Sequence, residues 1–328
     1  MILLLLTTVI MFLIYKWKKY QVNGTSLKIE NSIKTKGLLA LLIVFHHVSY
    51  YSDSFILKEF NYWGNIICGV FFFLSGYGLM KSKYLKGDIY FCSFLPTHLW
   101  KLFSTLIFVM LLFLTSLALS NKLGKYLSLV DCLHGRTFVP NTWFVYAMTY
   151  LYIVFYMSFG KIKKRFTSYS ILLGLTLLYI LIVKQNGFGS YWYSSVLAFA
   201  VGVLVSDMES KLSIGSLLFN ICIWGINFIL IMVAIYSLYV SPITYAPFLC
   251  AFYPLLFYLI LRLFEIKHCA FLAFLGKISY ELYVVHGIFI YYLHDKLRDY
   301  KLLIPVLLLS VISAYIINRI VSSIKIKK

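Results

Sequence analysis

Apolar runs of roughly 17–25 residues recur along the whole chain, each long enough to cross about 30 Å of hydrocarbon as an α-helix. No other feature limits the fold so strongly, because lipid offers no hydrogen bonds and a spanning segment has to satisfy its own backbone. The alternative is a barrel, which needs stretches of about ten residues of alternating polarity, and the sequence does not have them. Of 328 residues, 62% are hydrophobic and 12% charged, where a soluble domain runs near a quarter charged. The expected fold is therefore all-α, a polytopic membrane bundle. Its spans are expected near 37–52, 61–80, 99–120, 142–160, 169–185, 191–206, 213–238, 246–264, 272–293 and 302–321. These make ten core transmembrane helices in a domain over residues 30–322, followed by a basic tail at 323–328. Residues 1–15 are also apolar, but "KWKK" follows them, whereas a signal peptide carries its basic residues first. A short extra N-terminal anchor within 1–20 is expected.

The formal charge of +19 would suggest nucleic acid in a soluble protein. Here the cations alternate between the two sides of the expected bundle. Residues 16–36, 81–101, 161–165, 211, 262–277 and 319–328 hold 22 of the 30 Lys and Arg, and the opposite connections hold the other 8. That bias places the richer side in the cytoplasm, so the charge needs no nucleic-acid partner. The six cysteines lack metal-ligand spacing, and no external disulfide pair is evident, so no metal is expected. Trp63, Trp100, Trp143 and Trp192 fall near span ends, where interfacial aromatics belong.

An ionisable side chain inside a span is costly and is a functional candidate by default. Ten of the eleven acids map to loops or interfaces, which leaves Glu281; among seven histidines, His46, His47 and His286 lie in spans. In "KGLLALLIVFHHVSYYSD", Lys36 and His47 are eleven residues apart, about three helical turns, so they share a face some 16 Å from end to end. His46 is turned by about 100° from His47 and is expected to pack. The plainer alternative makes Lys36 a charge anchor and His47 an interhelix contact. In "KISYELYVVHGIFI", Ser279, Tyr283 and His286 form one polar stripe, and Glu281 is spaced to pair with Lys277. The small residues of "CGVFFFLSGYGLM" suit close helix packing, and Ser75 there is no hydrolase nucleophile. The longest external connection, about 121–141, is the one roomy enough to shape a binding surface.

Four segments, "IKTKGLLALLIVFHHVS", "GVFFFLSGYGLM", "NTWFVYAMTYLY" and "GKISYELYVVHGIFI", resemble in order and interval those of acyltransferase family 3, ten-helix membrane O-acyltransferases. The resemblance covers about residues 30–322. It implies acyl transfer, commonly of acetyl from acetyl-CoA, to a hydroxyl on a glycan, in the bacterial cytoplasmic membrane. It also implies a basic residue, usually Arg, then ten intervening residues and a catalytic His, which match Lys36 and His47. The Lys keeps the charge but lacks the planar fork that suits phosphate. Where the family has an Arg-rich stretch after the second helix, this chain departs from it with Lys81, Lys83, Lys86 and Lys101 and no Arg; Lys81, Lys83 and Lys101 are the expected acyl-CoA contacts. His286 is the second catalytic candidate, as an oxyanion stabiliser, with Ser279, Tyr283 and Trp143 as acceptor contacts. A transporter or glycan exporter relaying protons through the same His and Glu is the alternative, and paired broken helices in two halves would mark it.

Overall fold

The computed structural model describes residues 29–122, 135–212, 217–240, 246–263 and 269–324, and these are helical with no strand among them. The expected N-terminal anchor, the centre of the 121–141 connection and most of the basic tail lie outside the described residues. Eleven helices longer than one turn follow in order: α1 (Ile29–Ser49), α2 (Gly64–Lys86), α3 (Phe94–Leu119), α4 (Trp143–Phe159), α5 (Arg165–Gln185), α6 (Leu197–Lys211), α7 (Leu217–Val240), α8 (Ala246–Leu263), α9 (Ala270–Lys277), α10 (Ser279–Leu293) and α11 (Asp299–Ser323). Among the described residues, five segments are long and apolar enough to cross a membrane: Gly64–Phe91, Phe94–Leu119, Arg165–Gln185, Ser190–Lys211 and Asp299–Ser323. α9 and α10 qualify as a pair. The protein is a multi-pass helical membrane protein.

Burial sorts these segments into a centre and a rim. The α6 segment is 89% buried and the α2 segment 67%, against 33% for α3, 28% for α5 and 33% for α11. The exposed faces of the outer helices carry Leu111, Leu112, Leu177, Leu181, Leu308 and Ile312, a lipid-facing surface of the kind a soluble monomer would not present. At the centre α2 and α6 meet backbone to backbone. A Cβ on Gly76 would lie 2.2 Å from the Phe199 carbonyl oxygen, and one on Gly202 would lie 2.1 Å from that of Phe73. α1 and α9 approach in the same way, through Gly37 against Leu272 and Gly276 against Ile33. Lipid tails are as apolar as leucine, so close backbone packing of small residues takes the place of hydrophobic driving force between such helices.

Two expectations change here. The 272–293 span is not one helix: it bends by 77° between α9 and α10, at Ile278 (φ −108°, ψ 12°). Lys277 and Glu281 therefore sit on different helices, and no ion pair joins them among the described residues. Glu281 instead accepts from Asn318 Nδ2 of α11 at 3.0 Å. Secondly, Asp207 and Glu209, expected at loops or interfaces, are not exposed there but buried in protein near the end of α6. They are 2% and 6% exposed, in the last turns of α6, which ends at Lys211. Asp207 accepts from Tyr84 and Arg165 and pairs with Lys211 at 3.2 Å; Glu209 accepts from Tyr77 of α2 and Tyr258 of α8. A buried carboxyl is tolerated only with such donors. Glu209→Ala, which removes the shared acceptor of two buried phenols, is expected to cost about 2 kcal/mol, read as a lower Tm in detergent, with Glu209→Gln intermediate. An unchanged Tm would mean that the tyrosines find other acceptors at no cost.

Candidate functional site

α1 carries the site. Its basic end points one way and its histidines the other, and a cavity opens at each end. At the histidine end, a cavity of about 510 Å³ is lined by His46, His47, Tyr50 and Tyr51 of α1 and its exit, Cys68 of α2, Trp143 of α4, and Gly287, Ile290 and Tyr291 of α10. Residues 135–142 fold back into the bundle to close one wall, contributing Arg136, Thr137, Pro140 and Asn141. Hydrogen bonds pin that segment: Trp192 Nε1 donates to Gly135 O at 3.0 Å, Thr137 Oγ1 and Thr142 Oγ1 to Val139 O at 2.7 and 2.8 Å, and Tyr283 OH to Asn141 O at 2.6 Å. The expected binding surface on the 121–141 connection is thus partly visible, through its last residues.

The two adjacent histidines have different surroundings. His46 is 7% exposed, its Nδ1 donates to Phe60 O at 2.9 Å, and Tyr50 OH lies 3.3 Å from its Nε2. Both of its nitrogens are occupied, so it holds the end of α1 to the turn that follows. His47 has no ring hydrogen bond among the described residues, and it faces the cavity. Its ring is stacked on that of His286, with centroids 5.0 Å apart and planes at 29°.

His286 is fully buried. Its Nδ1 lies 2.7 Å from Tyr283 O and 3.3 Å from Leu282 O. Carbonyls only accept, so Nδ1 carries the proton and Nε2 of the neutral ring is an acceptor. That Nε2 has no partner among the described residues. The expectation that His286 donates to an oxyanion does not fit this tautomer. The ring instead offers a face to His47.

At the other end of α1, a cavity of about 420 Å³ is lined by Lys36, Lys101 and Lys277, with Ser75, Ser82, Thr97, His98 and Tyr152 among its polar walls. Ser279, Glu281 and Tyr283 line it too, so Ser279 and Tyr283, expected on the acceptor side, belong to the lysine side. Lys81 and Lys83 do not line it, and the Lys83 ammonium lies 4.8 Å from the centre of the Phe159 ring. Trp143 reaches the histidine cavity but is no interfacial residue: it is 6% exposed and packs 6.2 Å from Trp192, itself 7% exposed. Of the four tryptophans expected in an interfacial belt, Trp63 and Trp100 are exposed, at 48% and 44%. Among the described residues no group of three or more His, Cys, Asp or Glu side chains is placed to hold a metal ion.

The profile of the acyltransferase domain family matches residues 35–321, which run from just before Lys36 almost to the end of α11. The chain belongs to acyltransferase family 3. No curated protein and no solved structure matches it significantly. The acyltransferase therefore places a histidine cavity and a lysine cavity back to back along one helix. Sequence reading missed His98, Lys277, Asn141 and Tyr191 as lining residues. Each comes from a segment distant along the chain from α1; Lys277 and Asn141 carried a signal, their places in the "GKISYE" and "NTWFVY" segments, and His98 and Tyr191 carried none.

Proposed function

We propose that this acyltransferase moves an acyl group, acetyl above all, from acyl-CoA on the cytoplasmic side to a hydroxyl of a glycan on the other side, with His47 as general base. The observation that carries this reading is the back-to-back pair of cavities, with Lys36 in one and His47 in the other. The excess of Lys and Arg at the Lys36 end favours the cytoplasm for that end and, with the apolar helices, a cytoplasmic-membrane location. Three lysines among hydroxyl groups suit the phosphates of a nucleotide thioester. The rise of about 16 Å between Lys36 and His47 suits an extended pantetheine arm. On the far side Trp143, Tyr50, Tyr51, Tyr191 and Tyr291 line the histidine cavity, and aromatic faces with a few polar groups suit the apolar faces of sugar rings.

His47, with neither ring nitrogen engaged, takes the proton of the acceptor hydroxyl as its oxygen attacks the thioester carbonyl. A C–O bond forms and the C–S bond breaks. The proton passes to the departing thiolate, leaving an O-acyl ester and the free CoA thiol. The stacked face of His286 favours the imidazolium that His47 becomes, and its backbone bonds hold the ring in place. Family membership supports this enzyme reading over a proton-coupled exporter.

Radiolabelled acetyl-CoA supplied to vesicles with the cytoplasmic face outward should label membrane glycan only when the protein is present. Surface glycan from cells with and without it should differ by the mass of an acyl group. Lys36→Ala should raise KM for acetyl-CoA about tenfold, the worth of one charge-assisted contact, with kcat little changed, and Lys83→Ala should leave KM unaltered. A Lys36→Ala effect confined to the acceptor would contradict donor entry at the lysine end.

A further inference from the structure

The two cavities share no lining residue, yet the reaction needs a carbonyl from one to meet a hydroxyl in the other. What lies between them is aromatic. The lysine cavity ends on Phe71, Phe144 and Tyr283. The Phe144 ring centre is 5.2 Å from that of Tyr283 and 6.1 Å from that of Phe71. Phe144 and Tyr283 are 8% and 4% exposed, so the pair is packed shut. Behind it the Tyr283 ring is 5.7 Å from that of His286, which stacks on His47. Trp143, the residue before Phe144, lines the histidine cavity. These ring contacts form a continuous chain from the lysine cavity to His47.

We infer that Phe144 and Tyr283 form an aromatic collar that sets which acyl chains reach His47, and so make the enzyme selective for short acyl groups. This rests on the donor entering at the lysine end. Tyr283 is anchored twice, by its buried place in the second turn of α10 and by its hydroxyl on Asn141 O at 2.6 Å. Phe144 is wedged from behind by Phe72, with ring centres 4.4 Å apart. Neither ring can retreat far without disturbing a packed neighbour, and close-packed interiors resist added volume. A two-carbon acyl group needs a small displacement of the pair and each further methylene a larger one. A pocket that discriminates single methylenes does so by roughly 10–200-fold in kcat/KM. The collar also separates the lysine cavity from the histidine cavity between turnovers, which protects the thioester from water entering at the far side.

The test is chain-length selectivity, measured with full-length protein in native membranes that carry the acceptor, using radiolabelled acetyl-, propionyl-, butyryl- and hexanoyl-CoA. Wild type should show butyryl transfer at less than one tenth of acetyl transfer in kcat/KM. Phe144→Ala should raise the butyryl-to-acetyl ratio at least tenfold. Phe144→Leu, which keeps most of the side-chain volume, should raise it less, and so should Tyr283→Phe, which frees the ring from Asn141. A purely structural role would lower transfer of all four chains together and leave the ratio unchanged in every variant that retains activity; that result overturns the collar. Equal use of all chain lengths by wild type overturns it as well. Failure of wild type to transfer from any of the four thioesters would overturn the donor reading itself, and is told apart from the other results by needing no variant.

Discussion

His47→Ala is expected to lower kcat for acyl transfer by about 10²–10⁴-fold, the usual contribution of a positioned general base, while His46→Ala costs far less. The two residues are neighbours in one helix, so composition, depth in the membrane and distance from Lys36 hardly distinguish them. Their partners do. His46 spends Nδ1 on Phe60 O and has Tyr50 OH against Nε2, and a base whose lone pair is already taken by a protein hydroxyl is poorly placed to accept a substrate proton. His47 opens on the cavity and rests its ring on that of His286. Transfer to membrane glycan from labelled acetyl-CoA reads the difference, with membrane insertion checked by the amount of folded protein recovered in detergent. His47→Ala retaining activity while His46→Ala loses it would reverse the assignment. His286→Phe sharpens the comparison, because it keeps a ring beneath His47 and removes the buried acceptor at Nε2. A loss of kcat in that variant, with KM for acetyl-CoA unchanged, would show that the His47 base depends on its neighbour.

Gly202→Val should abolish the native bundle or lower its stability by about 3 kcal/mol or more, the upper end of what overpacking costs. Its Cβ would stand 2.1 Å from Phe73 O and 2.9 Å from Phe73 C. Those atoms are backbone within α2, so no rotamer change makes room and the helices must separate. Gly76, which meets Phe199 O at 2.2 Å, should respond in the same way. Gly174 on the exposed face of α5 has nothing within 4 Å of an added Cβ, and Gly174→Val should leave the Tm nearly unaltered. Equal shifts in Tm for Gly202→Val and Gly174→Val would mean that the α2–α6 approach is not what holds the centre together.

Much of the site's outline was legible in the sequence because it lies within one helix. The offset of Lys36 from His47, and the turn that separates His46 from His47, follow from 3.6 residues per turn and need no tertiary information. The structure places these residues accordingly, with Lys36 and His47 in cavities at opposite ends of α1. What failed depended on partners far along the chain. Asp207 and Glu209 read as interface acids, yet their donors Tyr84, Tyr77 and Tyr258 lie 49–132 residues away. Trp143 and Trp192 read as belt residues until the fold brought them against each other. The stripe through Ser279, Tyr283 and His286 was legible as a stripe. That Ser279 and Tyr283 face one cavity while His286 stacks beneath the base of the other was not, because it depends on the bend at Ile278 and on residues 135–142 folding back beneath Tyr283.

By itself the sequence determined the solvent and the class of fold: so little charge over so much apolar length leaves helices in lipid, and the uneven basic connections orient them. It also determined the axis of the candidate site, since one helix carries both Lys36 and His47. Only the tertiary structure decided what stands between them. The touching rings of Phe71, Phe144 and Tyr283 come from three helices, Phe144 lying 73 residues from Phe71 and 139 from Tyr283 along the chain. Periodicity ranks faces within a helix, but which faces meet is settled by how closely glycine-lined backbones approach, and that is a property of the packed bundle.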